Sequence, residues 1–361
     1  MNGPGRVLCA VILAAITAGL GLYPARGAEE APPAVKKVTV FVSILPQAAF
    51  VEAVGGRFVE VSVLVGPGQS PHTYEPTPRQ IAALEGAALY FSIGVGFEEG
   101  FLRKVESMFP HLRVVDMAAG IPFRAMTEAE AEHGEEAEAH EAGHAEHAEH
   151  AATGTDVAGM MDRVHAALGR PAPHAEEPAA AEEHKEAHEE GHHHAAGERD
   201  PHVWLDPVLV KTLAENACEA LVRAAPLHET EFRANLHAFA EKLDRTNERL
   251  AQALAPIRGR KLYVFHPAFG YFADRYGLEQ IAVETAGHDP SAQELARFIE
   301  SARADGVKVI FIQPQFSEKS AETVAEAVGG AVVPMDPLAG NYLQNLEEIA
   351  SKVSAALGRE P

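Results

Sequence analysis

Apolar positions along the chain follow two periods that alternate in a regular order. Short runs rich in β-branched and aromatic residues at 38–43, 59–65, 89–93 and 114–116 read as strands, and the stretches 47–54, 78–84 and 99–108 between them carry helical spacing. The same alternation returns after residue 260. Strands are predicted at 261–265, 280–283, 307–312 and 331–334, and helices at 268–276, 291–304, 318–328 and 342–357. Strands alternating with helices argue for parallel sheets with crossover helices, so the expected fold class is α/β.

Between the two alternating regions lie two helical stretches, 207–225 and 228–256. The second places Phe232, Leu236, Phe239, Leu243, Leu250 and Leu254 at helical spacing. At 1.5 Å per residue it spans about 40 Å, long enough to cross a two-lobed molecule. The predicted organisation is therefore a first lobe over 36–227, a long linking helix over 228–256 and a second lobe over 257–361. A cleft between the strand ends of two such lobes is where open α/β sheets place ligands.

The pattern breaks at both ends of the first lobe. Arg6 precedes an uncharged, mostly apolar run over 7–22, followed by small residues with Ala25 and Gly27 at the −3 and −1 positions of a cleavage site. This predicts a cleaved export signal over 1–28; the alternative is an uncleaved anchor, for which the run is short. Removing it also removes Cys9 and leaves Cys218 as the sole cysteine, so no intramolecular disulfide is expected.

Periodicity also stops over 128–199, where Ala, Glu, His and Gly dominate. Residues 128–200 hold 20 Asp and Glu against 4 Lys and Arg, and 12 of the chain's 19 His. Such a segment has too little apolar surface to order itself and is predicted to be a mobile insertion, except for a short amphipathic helix over 157–168. The insertion carries most of the chain's formal charge of −22. That charge, with no Lys/Arg cluster, excludes a nucleic-acid partner and disfavours anionic substrates.

Seven His remain outside the insertion: His72, His111, His202, His228, His237, His266 and His288. Three of them, His72, His202 and His266, are placed at strand-to-helix junctions, on the edge where a cleft opens. Three neutral imidazoles from separate elements define most of a tetrahedral Zn²⁺ site, and no activated Ser or Cys nucleophile competes with them. For any one alone, a helix-capping role is the simpler reading. The other four read as structural or surface groups, with His288 the candidate for an accessory role.

The segments around these three, Pro71-His72-Thr73-Tyr74-Glu75-Pro76, Asp200-Pro201-His202-Val203-Trp204-Leu205-Asp206-Pro207 and Phe265-His266-Pro267-Ala268-Phe269, resemble signatures of the cluster A-I metal-binding proteins of ABC uptake systems, within them the periplasmic zinc binders of the ZnuA type. Pro290-Ser291-Ala292, Gln313-Pro314-Gln315-Phe316 and Met335-Asp336-Pro337-Leu338 agree. The resemblance implies two lobes joined by one rigid helix, with one metal in the cleft for delivery to an inner-membrane permease. His72, His202 and His266 match the family's three histidine positions. Related manganese binders carry a carboxylate at the third, so His266 argues for zinc, in keeping with the preference of imidazole donors for Zn²⁺ over Mn²⁺.

For the fourth position the family offers Asp336 or water, and Asp336 is the expected ligand, giving a predicted set of His72, His202, His266 and Asp336. The Glu that precedes the first His in some zinc members is Pro71 here, and the Cys pair near the C-terminus of others is absent. Glu75, Glu284 and Asp289 are candidates for supporting the ligands. The predicted function is zinc capture in the periplasm by a monomer that does no covalent chemistry. The alternatives are another divalent metal (Mn, Ni or Cu), a hydrolase with an open three-histidine site, or a metal buffer without a permease. The His-rich insertion reads as a set of weak, exchangeable metal sites, or else as a solvated acidic linker.

Overall fold

The computed structural model describes residues 36–126, 199–282, 292–316 and 318–358. The predicted export signal, most of the insertion with its 157–168 helix, and Glu284, His288 and Asp289 lie outside the described residues. In the first lobe, β1 (Val38–Val42), α1 (Leu45–Gly55), β2 (Val59–Val63), α2 (Pro78–Ala83), β3 (Leu89–Ser92), α3 (Glu98–Met108) and β4 (Arg113–Asp116) follow one another. Then come α4 (Leu209–Ala224) and the long α5 (Glu229–Leu254). The second lobe runs β5 (Lys261–Val264), α6 (Gly270–Tyr276), β6 (Glu279–Ala282), α7 (Ala292–Ala304), β7 (Val309–Ile312), α8 (Glu318–Val328), β8 (Ala331–Pro334) and α9 (Tyr342–Leu357).

Among the described residues the strands form two four-stranded sheets, ordered β2-β1-β3-β4 and β6-β5-β7-β8. Every pairing is parallel, with registers such as Val40 opposite Leu89 and Val61, and Ile310 opposite Val332. The two lobes thus repeat one topology. In each, the strand order reverses direction between the first and third strands, the point at which a crevice opens at the carboxyl ends.

The period-two alternation of β5 and β7 divides the second sheet between two cores. Leu262, Val264 and Phe311 face a large core shared with the first lobe, α5 and α9, while Tyr263, Phe265, Ile310 and Ile312 face a smaller one beneath α7 and α8. The large core is continuous from Val40 and Phe91 of the first sheet through Leu243 and Leu250 of α5 to Leu346 and Val353 of α9. Its 26 residues make α5 about 39 Å long. The predicted stretch 228–256 proves to be this helix flanked by 3-10 turns over Pro226–His228 and Ala255–Ile257.

Arg199, predicted to end the insertion, belongs to the folded body. It forms an antiparallel bridge with Ala125, and its guanidinium lies 3.0 Å from the centre of the Phe123 ring.

Candidate metal centre

His72 sits in the loop that follows β2, several residues short of α2. Both arms of this loop are tied to one acceptor: the Leu64 carbonyl takes hydrogen bonds from Tyr74 Oη at 2.7 Å and Gln80 Nε2 at 2.9 Å. Thr77 caps α2 by accepting from Gln80 N, with Pro78 in its first turn. The loop is thereby fixed although its His72 is only half-buried.

His266 lies two residues beyond β5. The amide of the buried Gln313 spans its backbone from the neighbouring strand end, Oε1 accepting from His266 N at 3.2 Å and Nε2 donating to His266 O at 2.8 Å. Its ring stacks on Phe316 at 5.1 Å.

His202 precedes a 3-10 turn over Val203–Leu205 rather than following a strand, so the strand-to-helix junction expected from the sequence is met only in part. Its Nδ1 lies 2.8 Å from Asp200 Oδ1, which also accepts from His202 N at 2.9 Å. A carboxylate can only accept, so Nδ1 carries a proton, and in the neutral ring it is Nε2 that presents the lone pair. Asp200 is fully buried. Burial works against its charge, but hydrogen bonds from His202 and Arg124 outweigh that and hold the carboxyl below its ordinary range.

The three imidazoles converge from these separate supports. One ring nitrogen from each of His72, His202 and His266 lies within 4.8 Å of the others. The Nε2 atoms of His202 and His266 are 3.4 Å apart. With Zn–N bonds of about 2.05 Å at tetrahedral angles, neighbouring donors stand about 3.3 Å apart, so this pair already has the spacing of one tetrahedral edge. The rings sit in a crevice lined also by Pro71, Trp204 and Phe316. Such apolar walls limit water around the donors and deepen their electrostatic effect.

Asp336 is not part of this cluster. Its Oδ1 accepts from Gln315 Nε2 at 3.0 Å and from Leu338 N at 2.9 Å, so it caps the turn after β8. The predicted four-residue set is therefore brought together only as its three histidines. Glu75 is exposed. His111 bonds to Glu85 O at 2.8 Å, His228 stacks on Phe58 at 3.9 Å, and His237 faces Glu241 on the surface. Sequence reasoning missed the support given by Asp200 and Gln313. The Asp-x-His spacing was a legible signal for the first; the Gln313 clamp joins residues 47 apart and had none.

The chain is 28% identical over 306 residues to the zinc-binding protein AdcA of Streptococcus pyogenes, covering 84% of this chain and 51% of that one. The chain thus spans about half the length of this curated relative. A crystal structure of ZnuA superposes with a TM-score of 0.67 at 34% identity, covering 89% of this chain and 99% of that one. A ZnuA deletion mutant with zinc bound gives 0.68 at 33%, covering 90% and 100%. The family profile described as zinc-uptake complex component A, periplasmic, matches residues 40–356, and with two parallel α/β lobes around a three-histidine crevice the chain belongs to that family.

Proposed function

We propose that the protein is a periplasmic solute-binding protein that captures Zn²⁺ between its lobes and hands it to an ABC permease in the inner membrane. The observation that carries this is the convergence of His72, His202 and His266, with two Nε2 atoms at tetrahedral spacing. The zinc-bound ZnuA relative and the zinc-binding relative AdcA support the choice of metal. His72, His202 and His266 are the proposed ligands. Asp336 is the proposed fourth, reached by releasing Gln315, with water as its competitor.

Export through a cleaved signal at 1–28 supplies the location in this reading. The His-rich stretch 128–198 raises the local zinc supply through weak sites, while the crevice sets the affinity. Because imidazole must be neutral to coordinate, capture by that stretch weakens below about pH 6. Release proceeds by small tilts or loop shifts, since a continuous core and a 26-residue helix join the lobes.

The test is a zinc titration against a competing chelator, comparing the protein lacking 128–198 with its His202→Ala variant. One tight site that disappears with His202 is the expected result. Tight binding that persists without His202 refutes the three-histidine assignment. Losing the tight site on deleting 128–198 alone refutes the division of labour between insertion and crevice.

A further inference from the structure

Arg124 reaches the metal crevice from outside it. It leaves the first lobe after β4, and its Nη1 donates to Asp200 Oδ2 at 2.9 Å while its Nε donates to Asp274 Oδ2 at 3.0 Å. Its backbone is held as well: N donates to Tyr271 Oη at 3.0 Å and O accepts from Asp200 N at 3.1 Å. Tyr271 Oη closes the unit by donating to Asp200 O at 3.3 Å. The two carboxylate oxygens of Asp200 therefore have different tasks. Oδ1 takes the ring and backbone of His202, and Oδ2 takes Arg124.

Space for this arrangement comes from one missing side chain. A Cβ at Gly270, the first residue of α6, would lie 1.9 Å from Arg124 Nη1, 2.5 Å from its Cζ and 2.8 Å from Asp200 Oδ2. No side chain fits there unless the guanidinium leaves Asp200. The backbone conformation of Gly270 is not the reason for glycine, since it is helical; the close approach of the ion pair is.

We infer that Arg124 and Gly270 are positioning residues of the metal centre, holding the Asp200 carboxylate so that it fixes the ring of His202 with Nε2 turned toward His266 and His72. A carboxylate bonded at one oxygen only can rotate about its own axis. The guanidinium at the second oxygen removes that freedom, and with it the freedom of the imidazole. The effect on zinc rests on the function proposed above, whereas the effect on the ring of His202 does not.

The experiment uses the full chain and reads two quantities. Nitrogen-15 NMR of the imidazoles in the metal-free protein reports the His202 tautomer, and chelator competition reports zinc affinity. The variants are Arg124→Met and Gly270→Ala, with Arg249→Met, which breaks an exposed pair with Glu347, as a control for charge loss. Both positioning variants are expected to lose the single Nδ1–H signature of His202 and to bind zinc about 10- to 100-fold more weakly, while the control does neither. Gly270→Ala removes only the fit, so it decides the matter if Arg124→Met fails to fold. An unchanged tautomer in the folded variants, or zinc affinity within twofold of the parent, overturns the inference. If His202→Ala leaves tight zinc binding intact, the zinc reading fails by itself, and the tautomer still tests the relay.

Discussion

Single residues in this protein are best understood by what stands behind them. His202 owes the orientation of its ring to Asp200, and His266 owes the placement of its backbone to the amide of Gln313, so each of these two imidazoles is set by a polar partner from outside the cluster of rings. Glu98 shows the opposite case, a buried acid away from the crevice. It accepts from Ser43 Oγ, from Ile93 N at 3.1 Å and from Gly94 N at 2.7 Å. Burial is the largest influence on it and raises its carboxyl to about 7, against those hydrogen bonds. Its pKa is thus higher folded than unfolded, so its contribution to stability is complete below about pH 4.5 and disappears as the pH rises through 7. The loss amounts to roughly 3 kcal/mol. Urea unfolding at pH 5 and pH 8 should show this decline in the parent and a smaller one in Glu98→Gln; equal slopes would refute the assignment.

At the scale of elements, most of the architecture was legible because the strands are short, β-branched runs whose alternation needs no long-range information. The edges were less so. β7 begins at Val309, two residues after the predicted start, and α3 begins one residue early, at Glu98, whose side chain turns back to the strand end. The convergence of the three histidines was legible from their flanking segments, although only His266 sits close behind a strand and ahead of an α-helix. Asp336 was legible as a carboxylate but not as a turn cap, because its bond to Gln315 joins two strand ends that meet only in the folded sheet. Arg124 and Gly270 left no local trace for the same reason. The loop carrying His72 offers a prediction of its own. Tyr74→Phe removes one of its two ties to the Leu64 carbonyl, at a cost of about 1 kcal/mol. Hydrogen exchange over 66–77 should quicken in the variant, and zinc should slow it again by drawing His72 toward the other two rings.

Over the whole molecule the controlling feature is that the larger core does not stop at the lobe boundary. Leu262, Val264 and Phe272 of the second lobe share it with Val42 and Phe50 of the first, and Tyr342 lies edge-on to Phe50 at 4.7 Å. Trp204, fully buried, donates from Nε1 to Pro337 O at 2.9 Å, while Tyr342 Oη donates to Trp204 O at 2.8 Å. One cooperative unfolding transition is therefore expected in calorimetry of the metal-free protein, where two independent lobes would give two. Trp204→Ala should lower that transition by about 3–5 kcal/mol without splitting it. A second, separate transition in either protein would show that the lobes are energetically independent.

The bridge between Ala125 and Arg199 has a practical consequence. Across any antiparallel pair the two chain segments lie about 5 Å apart, so Ala125 and Arg199 form a doorway narrow enough for a module whose own termini lie side by side. A circularly permuted fluorescent protein fits that description. Spliced there, it would be joined to Met126 and Arg199, close to Asp200, which holds the ring of His202, and to Arg124, which holds Asp200. A change at the ring of His202 would then pass through Asp200 toward the chromophore, making the natural seam of this protein a ready place to build an optical sensor of the proposed zinc binding.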